Sequence, residues 1–154
     1  MADLTFSRVF RAPRATVWEC WTNAEHLKRW FVPPPAELPE AVIEPWAGGR
    51  FFTVIRHEGQ DMPGDGVILE AVPGERLSFT NILMSGWRPA PPPDLPFTAT
   101  VGMRDHPEGT EYVVTARHPD EATARRHEEM GFSAGWGTAA DQLGRLAEGL
   151  SDGT

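Results

Sequence analysis

Hydrophobic and polar residues alternate in several segments of the chain, and the alternation is clearest in 97–105 and 110–118. In the first of these, Ala99, Val101 and Met103 share one face and polar residues occupy the other. A period of two predicts strands with one face against a core. Similar segments separated by turn residues predict seven strands, at about 4–11, 41–46, 50–57, 64–72, 76–83, 97–105 and 110–118.

Two short segments follow a helical spacing instead. Apolar residues lie three and four positions apart in 13–21, and 24–30 repeats that spacing, so each segment is predicted to form a helix. Asn23 stands between them where the second helix needs an N-cap. Three prolines at 33–35 end the second helix, because proline cannot continue one. The tryptophans at 18 and 21 are therefore expected to pack as structural wedges.

A longer helical pattern, predicted to span 120–150, closes the chain. Its apolar stripe begins at Trp136 and gives the helix one face to bury. Gly131, Gly135 and Gly137 interrupt it, and each glycine destabilises a helix by about 1 kcal/mol relative to alanine. Their clustering predicts a bend, or a close approach of the backbone to another element, near Trp136.

The order of these elements predicts an α+β protein. Strands joined mostly by short turns form an antiparallel sheet, and the final helix is available to cover one face of it. A length of 154 residues suits one domain and is too short for two. We therefore expect a single domain over 1–154, with 151–154 as a flexible tail.

The composition narrows the choice of partners. The formal net charge is −8, with 22 acidic and 14 basic residues, so no nucleic acid partner is expected. No segment has the roughly 20 apolar residues of a membrane span, and no signal-peptide pattern is present. Cys20 is the single cysteine, which excludes an internal disulfide. These features predict a cytoplasmic protein.

One irregular segment, 85–96, interrupts the strand pattern with five prolines and a tryptophan at 87. Long loops in compact domains are often functional, and proline-rich segments favour extended backbone. Two interpretations stay open: an ordinary surface loop, or a flap that carries Trp87 over a pocket.

Several motifs stand in the order found in the SRPBCC superfamily. They are FRAPRATVW (10–18), WTNAEHLKRW (21–30), PWAGGRF (45–51) and GVILEAVPGERLSFT (66–80), and Gly135-Trp136 followed by leucines at 143, 146 and 150 resembles the closing helix of that superfamily. The sequence most resembles the branch related to the activator of the ninety-kilodalton heat-shock protein ATPase. The resemblance covers nearly the whole chain.

The resemblance implies a helix-grip fold, in which a curved sheet wraps around the long C-terminal helix and an apolar cavity opens between them. Relatives bind lipids, hormones or polyketides, and some act as cyclases or dehydratases on polyketides. The eukaryotic co-chaperone has an additional N-terminal domain that contacts the chaperone. Nothing in this chain corresponds to that domain, which puts a chaperone partner in doubt.

Cavity-lining candidates are large apolar residues expected under the helix and at its rim, together with a few polar ones. For each apolar residue, simple core packing is the alternative. Asn81 has a backbone hydrogen bond as its alternative to a ligand contact. The candidates are Trp30, Phe31, Trp46, Phe52, Phe79, Asn81, Trp87, Met103, Tyr112, Met130 and Trp136.

Motifs of known enzyme classes are missing from the sequence: no Gly-x-Ser-x-Gly elbow, His-Glu-x-x-His, phosphate loop or dinucleotide fingerprint occurs. No catalytic residue, metal site or cofactor is therefore assigned, and His118 and His127, nine positions apart, lack a metal-binding spacing. Cys20 between two tryptophans is expected to be buried and inert.

Three functions follow as hypotheses. The first is a non-catalytic binding protein for a small hydrophobic ligand. The second is an aromatase- or cyclase-like enzyme, which needs an inward ionisable group, supplied by Glu70, Arg104, His57 or His127. The third is a co-chaperone-like interaction module with an exposed apolar patch. A homodimer through the proline-rich loop or a sheet edge stays open.

Overall fold

The computed structural model describes residues 3–152. Within this range, nine strands and four helices follow one another in an order that is β-rich at first and helical at the end. They are β1 (Asp3–Phe10), α1 (Arg14–Thr22), α2 (Ala24–Trp30), β2 (Glu37–Ile43), β3 (Arg50–His57), β4 (Gln60–Val72), β5 (Arg76–Thr80), β6 (Leu83–Met84), β7 (Arg88–Pro89), β8 (Thr98–His106), β9 (Gly109–Arg117), α3 (Glu121–Glu129) and α4 (Phe132–Asp152).

Seven strands form one antiparallel sheet in the order β1-β9-β8-β5-β4-β3-β2, and β6 pairs with β7 in a small separate hairpin. Side chains on the inner face of the sheet alternate with outward ones, as in β9, where Tyr112, Val114 and Ala116 are all buried. Helix α4 packs against this inner face, and α1 and α2 lie between β1 and β2 in the chain. The predicted α+β helix-grip architecture is confirmed.

Helices α1 and α2 meet at Asn23, as predicted. The side-chain oxygen of Asn23 accepts hydrogen bonds from the backbone N–H groups of Glu25 and His26, at 3.0 and 3.4 Å. This satisfies two of the free N–H groups at the start of α2. At its other end, the Gln142 side chain of α4 donates to the carbonyl of Trp30 at 2.8 Å. Helix α2 is therefore held at both ends.

The single helix predicted at 120–150 is wrong, because the chain forms two helices there. Gly131 separates α3 from α4 and has a φ of +96°, in the left-handed region that glycine adopts without strain. Helix α4 continues uninterrupted through Gly135 and Gly137. A Cβ atom at Gly144 would lie only 3.0 Å from the Phe10 ring, so this glycine lets α4 approach β1 closely.

Three strands differ from their predicted bounds by more than one residue: β2, β5 and β4, which begins at Gln60 rather than at 64. Strand β2 begins at Glu37 rather than at 41, with a register shift near Pro39, which an edge strand tolerates because its outer side needs no N–H donor. The segment 44–49 forms a turn instead of extending that strand. Strand β5 ends at Thr80, so the predicted strand 76–83 is three residues too long. Residues 151 and 152 of the predicted tail belong to α4, and 153–154 lie outside the described residues.

Candidate functional site

Aromatic side chains fill the space between the sheet and α4, with Trp21 near their centre. The Trp21 ring stacks on Trp136 of α4 at a centroid distance of 6.1 Å and an angle of 22°. On its other sides it meets Phe79 of β5 at 5.9 Å and Trp30 of α2 at 4.9 Å. These contacts join three helices to the sheet, because Trp21 itself belongs to α1.

Six rings form a closed circuit that begins and ends at Trp21. Each ring contacts the next at centroid distances from 5.0 to 6.4 Å, which lie within the range of favourable aromatic pairs. The circuit runs through Trp21, Phe79, Phe97, His127, Phe132 and Trp136. It connects α1, the sheet, α3 and α4, and two solvent-open depressions lie along it.

The first depression, hollow 1, has a volume of about 270 Å³. Its walls are Phe31 and Pro33 after α2, Leu95 of the proline-rich loop, and residues of α3, α4 and their junction. Those last residues are His127, Met130, Gly131, Phe132, Gly135, Trp136 and Ala139. Among the described residues, His127 is the one titratable side chain in this wall.

The second depression, hollow 2, has a volume of about 190 Å³ and lies on the inner face of the sheet. Strand β3 contributes Phe51 and Thr53, and β4 contributes residues 64–66. The remaining wall consists of Phe31, Phe79, Thr80, Asn81 and Phe97. Asp65 borders this hollow, but its carboxylate accepts from Arg50 Nε at 3.4 Å beside Phe52, on the outer face of the sheet.

Phe31 belongs to the walls of both hollows. It is the C-cap residue of α2, and its ring makes edge contacts with Trp21 at 5.9 Å and Trp30 at 5.5 Å. The side chain is half-buried rather than enclosed. One ring therefore separates the two hollows.

A pair of histidines adjoins hollow 1. His118 Nε2 and His127 Nδ1 lie 2.8 Å apart and share a hydrogen bond whose donor depends on the tautomers. Desolvation by burial lowers the pKa of His127, and the charge of His118 lowers it further. The nine-residue spacing of the two histidines did not predict this contact. It forms because His118 directly follows β9 and His127 lies in α3, and the two segments meet beside the hollow.

Asn81 fastens the end of the proline-rich loop. Its side-chain NH₂ donates to the carbonyl of Leu95 at 2.9 Å, and its side-chain oxygen accepts from the N–H of Phe97 at 3.0 Å. Arg126 of α3 donates to the carbonyl of Asp94. The amide of Asn81 thus has backbone partners, as the alternative interpretation held, and it positions Leu95 of hollow 1 and Phe97 of hollow 2.

Trp87 lies away from both hollows. It has a φ of +62°, is about half exposed, and its indole covers Gly48, where a Cβ atom would lie 3.3 Å from the ring. The proline-rich loop does reach hollow 1, but through Leu95. The position of Trp87 therefore does not support the interpretation that it forms a flap over a pocket.

Five of the predicted cavity residues line a hollow: Phe31, Phe79, Asn81, Met130 and Trp136. Phe79 is buried in β5, while Met130 is mostly exposed at the junction of α3 and α4. These five residues come from four different parts of the chain. The tertiary structure brings them to one side of the molecule.

The other six lie elsewhere. Trp30 is fully buried, and its indole N–H donates to the carbonyl of Cys20 at 2.9 Å. Tyr112 and Met103 are buried on the inner face of the sheet. Phe52 is on the opposite face of β3 from Phe51, with the Arg50 guanidinium 4.2 Å from its ring centre. Trp46 and Trp87 are more than half exposed at surface turns.

Sequence reasoning missed several wall residues, notably Phe51, Leu95 and Phe97. Phe51 and Phe52 are neighbours, so the prediction chose the wrong member of an alternating pair. Phe132 lies four positions before Trp136 and so shares the apolar face of the helix, which is a signal that does locate it. Leu95 lies in a proline-rich loop, which has no helical or strand periodicity from which the direction of a side chain could be predicted.

The remaining reactive groups lie away from the hollows. Burial raises the pKa of Cys20 to about 12, so its thiol stays protonated. Glu70 accepts from Arg76, Arg104 donates to Glu111 at 2.5 Å, and His57 lies at the exposed end of β3. Within residues 3–152, no group of three or more histidine, cysteine or acidic side chains is arranged to hold a metal ion.

The fold and the position of the hollows show the class of protein: this is a helix-grip domain, and this architecture supports ligand binding in general. The sequence matches the family described as Activator of Hsp90 ATPase homolog 1-like protein over residues 11–148. The chain belongs to that family. In the described part of the chain, no helix is both long and apolar enough to cross a membrane.

Solved structures agree with this assignment. A protein of Nitrosomonas europaea is 36% identical, with a TM-score of 0.91 over 96% of this chain and 95% of its own. A protein of Rhodobacter sphaeroides shares the fold at 21% identity, with a TM-score of 0.85 and coverage of 97% and 95%. An AHSA1-like protein of Aeromonas hydrophila does so at 17% identity, with a TM-score of 0.74 and coverage of 96% and 93%. No curated protein matches the sequence.

Proposed function

We propose that this protein binds a small apolar molecule in hollows 1 and 2, with Phe31 between them. The observation that carries the proposal is that one half-buried ring lines two adjoining depressions whose walls are mainly apolar and include several aromatic rings. Ligand sites are concave, mostly apolar and equipped with few polar groups, and the two hollows meet that description.

The size of the ligand follows from the volumes. Small-molecule sites usually measure about 300–1,000 Å³, and hollow 1 at about 270 Å³ or hollow 2 at about 190 Å³ falls below that range alone. Rotation of the Phe31 ring would join them into one groove of suitable size. A ligand in that groove would gain about 25 cal/mol for each Å² of apolar surface removed from water.

Two glycines of α4 offer a matched test. Gly135 lines hollow 1 and Gly149 does not, and a Cβ atom at either would have no atom within 4 Å. Gly135→Leu therefore fills part of hollow 1 without a clash, while Gly149→Leu makes the same change elsewhere on the helix. With the apolar dye Nile red as the probe, we expect Gly135→Leu to weaken binding at least tenfold and Gly149→Leu to leave it unchanged. Equal dye binding by both variants, or no dye binding by the unmodified protein, would contradict the proposal.

A catalytic function is the second candidate, and His127 is the observation that favours it. Of the four ionisable residues considered for an aromatase- or cyclase-like reaction, His127 is the one in the wall of a hollow among the described residues. A half-buried imidazole with a lowered pKa is a suitable general base. Turnover of a poly-β-ketone thioester that is lost in His127→Gln would support catalysis, whereas unchanged product formation would exclude this role.

The interaction module rests on the family description and on exposed apolar side chains. Trp46 and Trp87 are 57% and 51% exposed, which suits a contact with another protein. Stimulation of a purified ninety-kilodalton chaperone ATPase, lost in a Trp46→Ala, Trp87→Ala double variant, would favour this function. A cytoplasmic location and a homodimer both remain predictions. The free, buried thiol of Cys20 is compatible with a reducing compartment such as the cytoplasm.

A further inference from the structure

We propose that hollow 1 recognises the carboxylate group of an amphipathic carboxylic acid through the His118–His127 pair, and that the apolar body of the acid extends past Phe31 to hollow 2. This inference rests on the proposed binding function and specifies its ligand class. It also assigns the ligand an orientation, because the two hollows differ in their polar groups.

The geometry of His127 prepares one ring nitrogen for a ligand. Phe97 and Phe132 hold the imidazole at centroid distances of 5.4 and 5.0 Å, and Nδ1 is engaged with His118 at 2.8 Å. The other nitrogen, Nε2, has no hydrogen-bond partner within residues 3–152. No buried side-chain nitrogen or oxygen in that range lacks a partner, so Nε2 is open to solvent at the hollow.

Hollow 1 accepts an anion more readily than hollow 2. Among the described residues that line hollow 1, none carries a carboxylate. In hollow 2 the Thr80 hydroxyl is already bonded to the carbonyl of Phe97 and to the hydroxyl of Thr98. The described wall of this hollow offers no cationic side chain to an anion, because Arg50 and Asp65 pair with each other beside Phe52 on the outer face. The side-chain amide of Asn81 is likewise already hydrogen-bonded to the loop backbone. The acidic head therefore belongs in hollow 1.

The histidine pair supplies the compensating charge by taking up a proton. Burial and the neighbouring His118 lower the pKa of His127, which favours its neutral form in the free protein. A carboxylate at Nε2 favours the protonated form. The pair then becomes an imidazole–imidazolium unit, in which one proton comes from solvent and the two rings keep their shared hydrogen bond.

The charged groups near the pair lie on α3 and at the end of β9, and they include Glu121 and Asp120, whose carboxylate interacts with the charge of His118. Asp120, at the start of α3, accepts from the N–H and hydroxyl of Thr123. Arg126 of α3 donates to the carbonyl of Asp94, and Arg117 at the end of β9 donates to Thr100 at 3.1 Å. The first turn of α4 carries no acidic residue. Proton uptake is therefore assigned to the histidine pair.

The test compares octanoate with 1-octanol, two probes with the same chain length and different heads. In calorimetric titrations of the full chain at pH 7, we expect octanoate to bind at least tenfold more tightly than 1-octanol. His127→Phe, which fits the aromatic surroundings, should remove that difference while 1-octanol binding persists. His57→Phe, at an exposed histidine away from both hollows, should leave the difference intact.

Proton uptake gives a second readout that needs no variant. Titrations of octanoate in two buffers of different ionisation enthalpy should reveal uptake of about one proton, and the affinity should fall by up to tenfold per unit as pH rises from 6 to 8. Equal affinity for the two probes, or octanoate binding without proton uptake, would overturn this inference alone. Failure of both probes to bind would overturn the proposed function together with it.

Discussion

The hydroxyl of Tyr112 accepts a hydrogen bond from the indole N–H of Trp21, with 3.2 Å between Nε1 and the oxygen. Both side chains are fully buried, one in β9 and the other in α1. Burial raises the pKa of Tyr112 above its ordinary value, so the hydroxyl stays protonated. The bond anchors α1 to the sheet beneath the two hollows.

Removal of this acceptor should destabilise the fold. Tyr112→Phe leaves the buried N–H of Trp21 unsatisfied, which typically costs about 1–3 kcal/mol. We expect the free energy of unfolding, measured by urea titration, to fall by that amount. The double variant Trp21→Phe, Tyr112→Phe should lose less than the sum of the two single variants, because no orphaned donor remains. Strict additivity would show that the bond contributes nothing.

Gly131 should be essential to the break between α3 and α4. Alanine at this position has to adopt a φ of +96°, which costs about 1–2 kcal/mol for a residue with a side chain. Gly135→Ala, four positions later inside α4, should instead stabilise the protein by about 0.5–1 kcal/mol. A Cβ atom meets nothing within 4 Å at either position, so the two variants differ in backbone conformation alone. Thermal unfolding curves that shift in the same direction would refute this assignment.

Asn81 should control the order of the loop end that shapes the hollows. Asn81→Ala removes the bonds to Leu95 and Phe97, and we expect the Phe97 amide to exchange its hydrogen markedly faster. Asn81→Asp keeps the acceptor for that amide, so the amide should remain protected in this control. Hydrogen exchange followed by NMR distinguishes the two. Unchanged exchange in the alanine variant would mean that the loop is held without Asn81.

His127 should make stability fall in mild acid. Its pKa in the folded state lies below the ordinary value of 6.5, so the unfolded chain binds the proton first as pH decreases. The free energy of unfolding should therefore decline as pH drops through 6.5 and level off below the folded-state pKa. His127→Gln should lose less stability than the unmodified protein between pH 7 and pH 5 in urea titrations. Parallel pH profiles would argue against this titration.

Local patterns predicted much of the architecture. The bounds of α2 and β3 were predicted correctly, because local signals mark both elements. Helix α2 has a helical spacing between Asn23 and the prolines, and β3 lies between two turns that contain glycine. The break at Gly131 was only partly foreseen: the glycines signalled a bend near Trp136, but three glycines cannot reveal which one takes the left-handed conformation.

The candidate site was less accessible to such reasoning. Choosing Phe52 over Phe51 required the register of β3 against its neighbours, which depends on pairs far apart in the chain. Trp30 looked like a cavity wall, yet its indole turns inward to the carbonyl of Cys20. Periodicity indicates the face of a helix or strand on which a residue lies, but it does not indicate which part of the protein that face contacts.

The sequence by itself determined the class of fold, the helical junction at Asn23, the covered face of the sheet and the family. These features depend on spacing and turn chemistry within short segments. Only the tertiary structure decided that Phe31 divides two hollows and that His118 meets His127. Those relationships arise where β9, α2, α3 and α4 converge, and packing between distant segments is set by the three-dimensional fit of whole side chains.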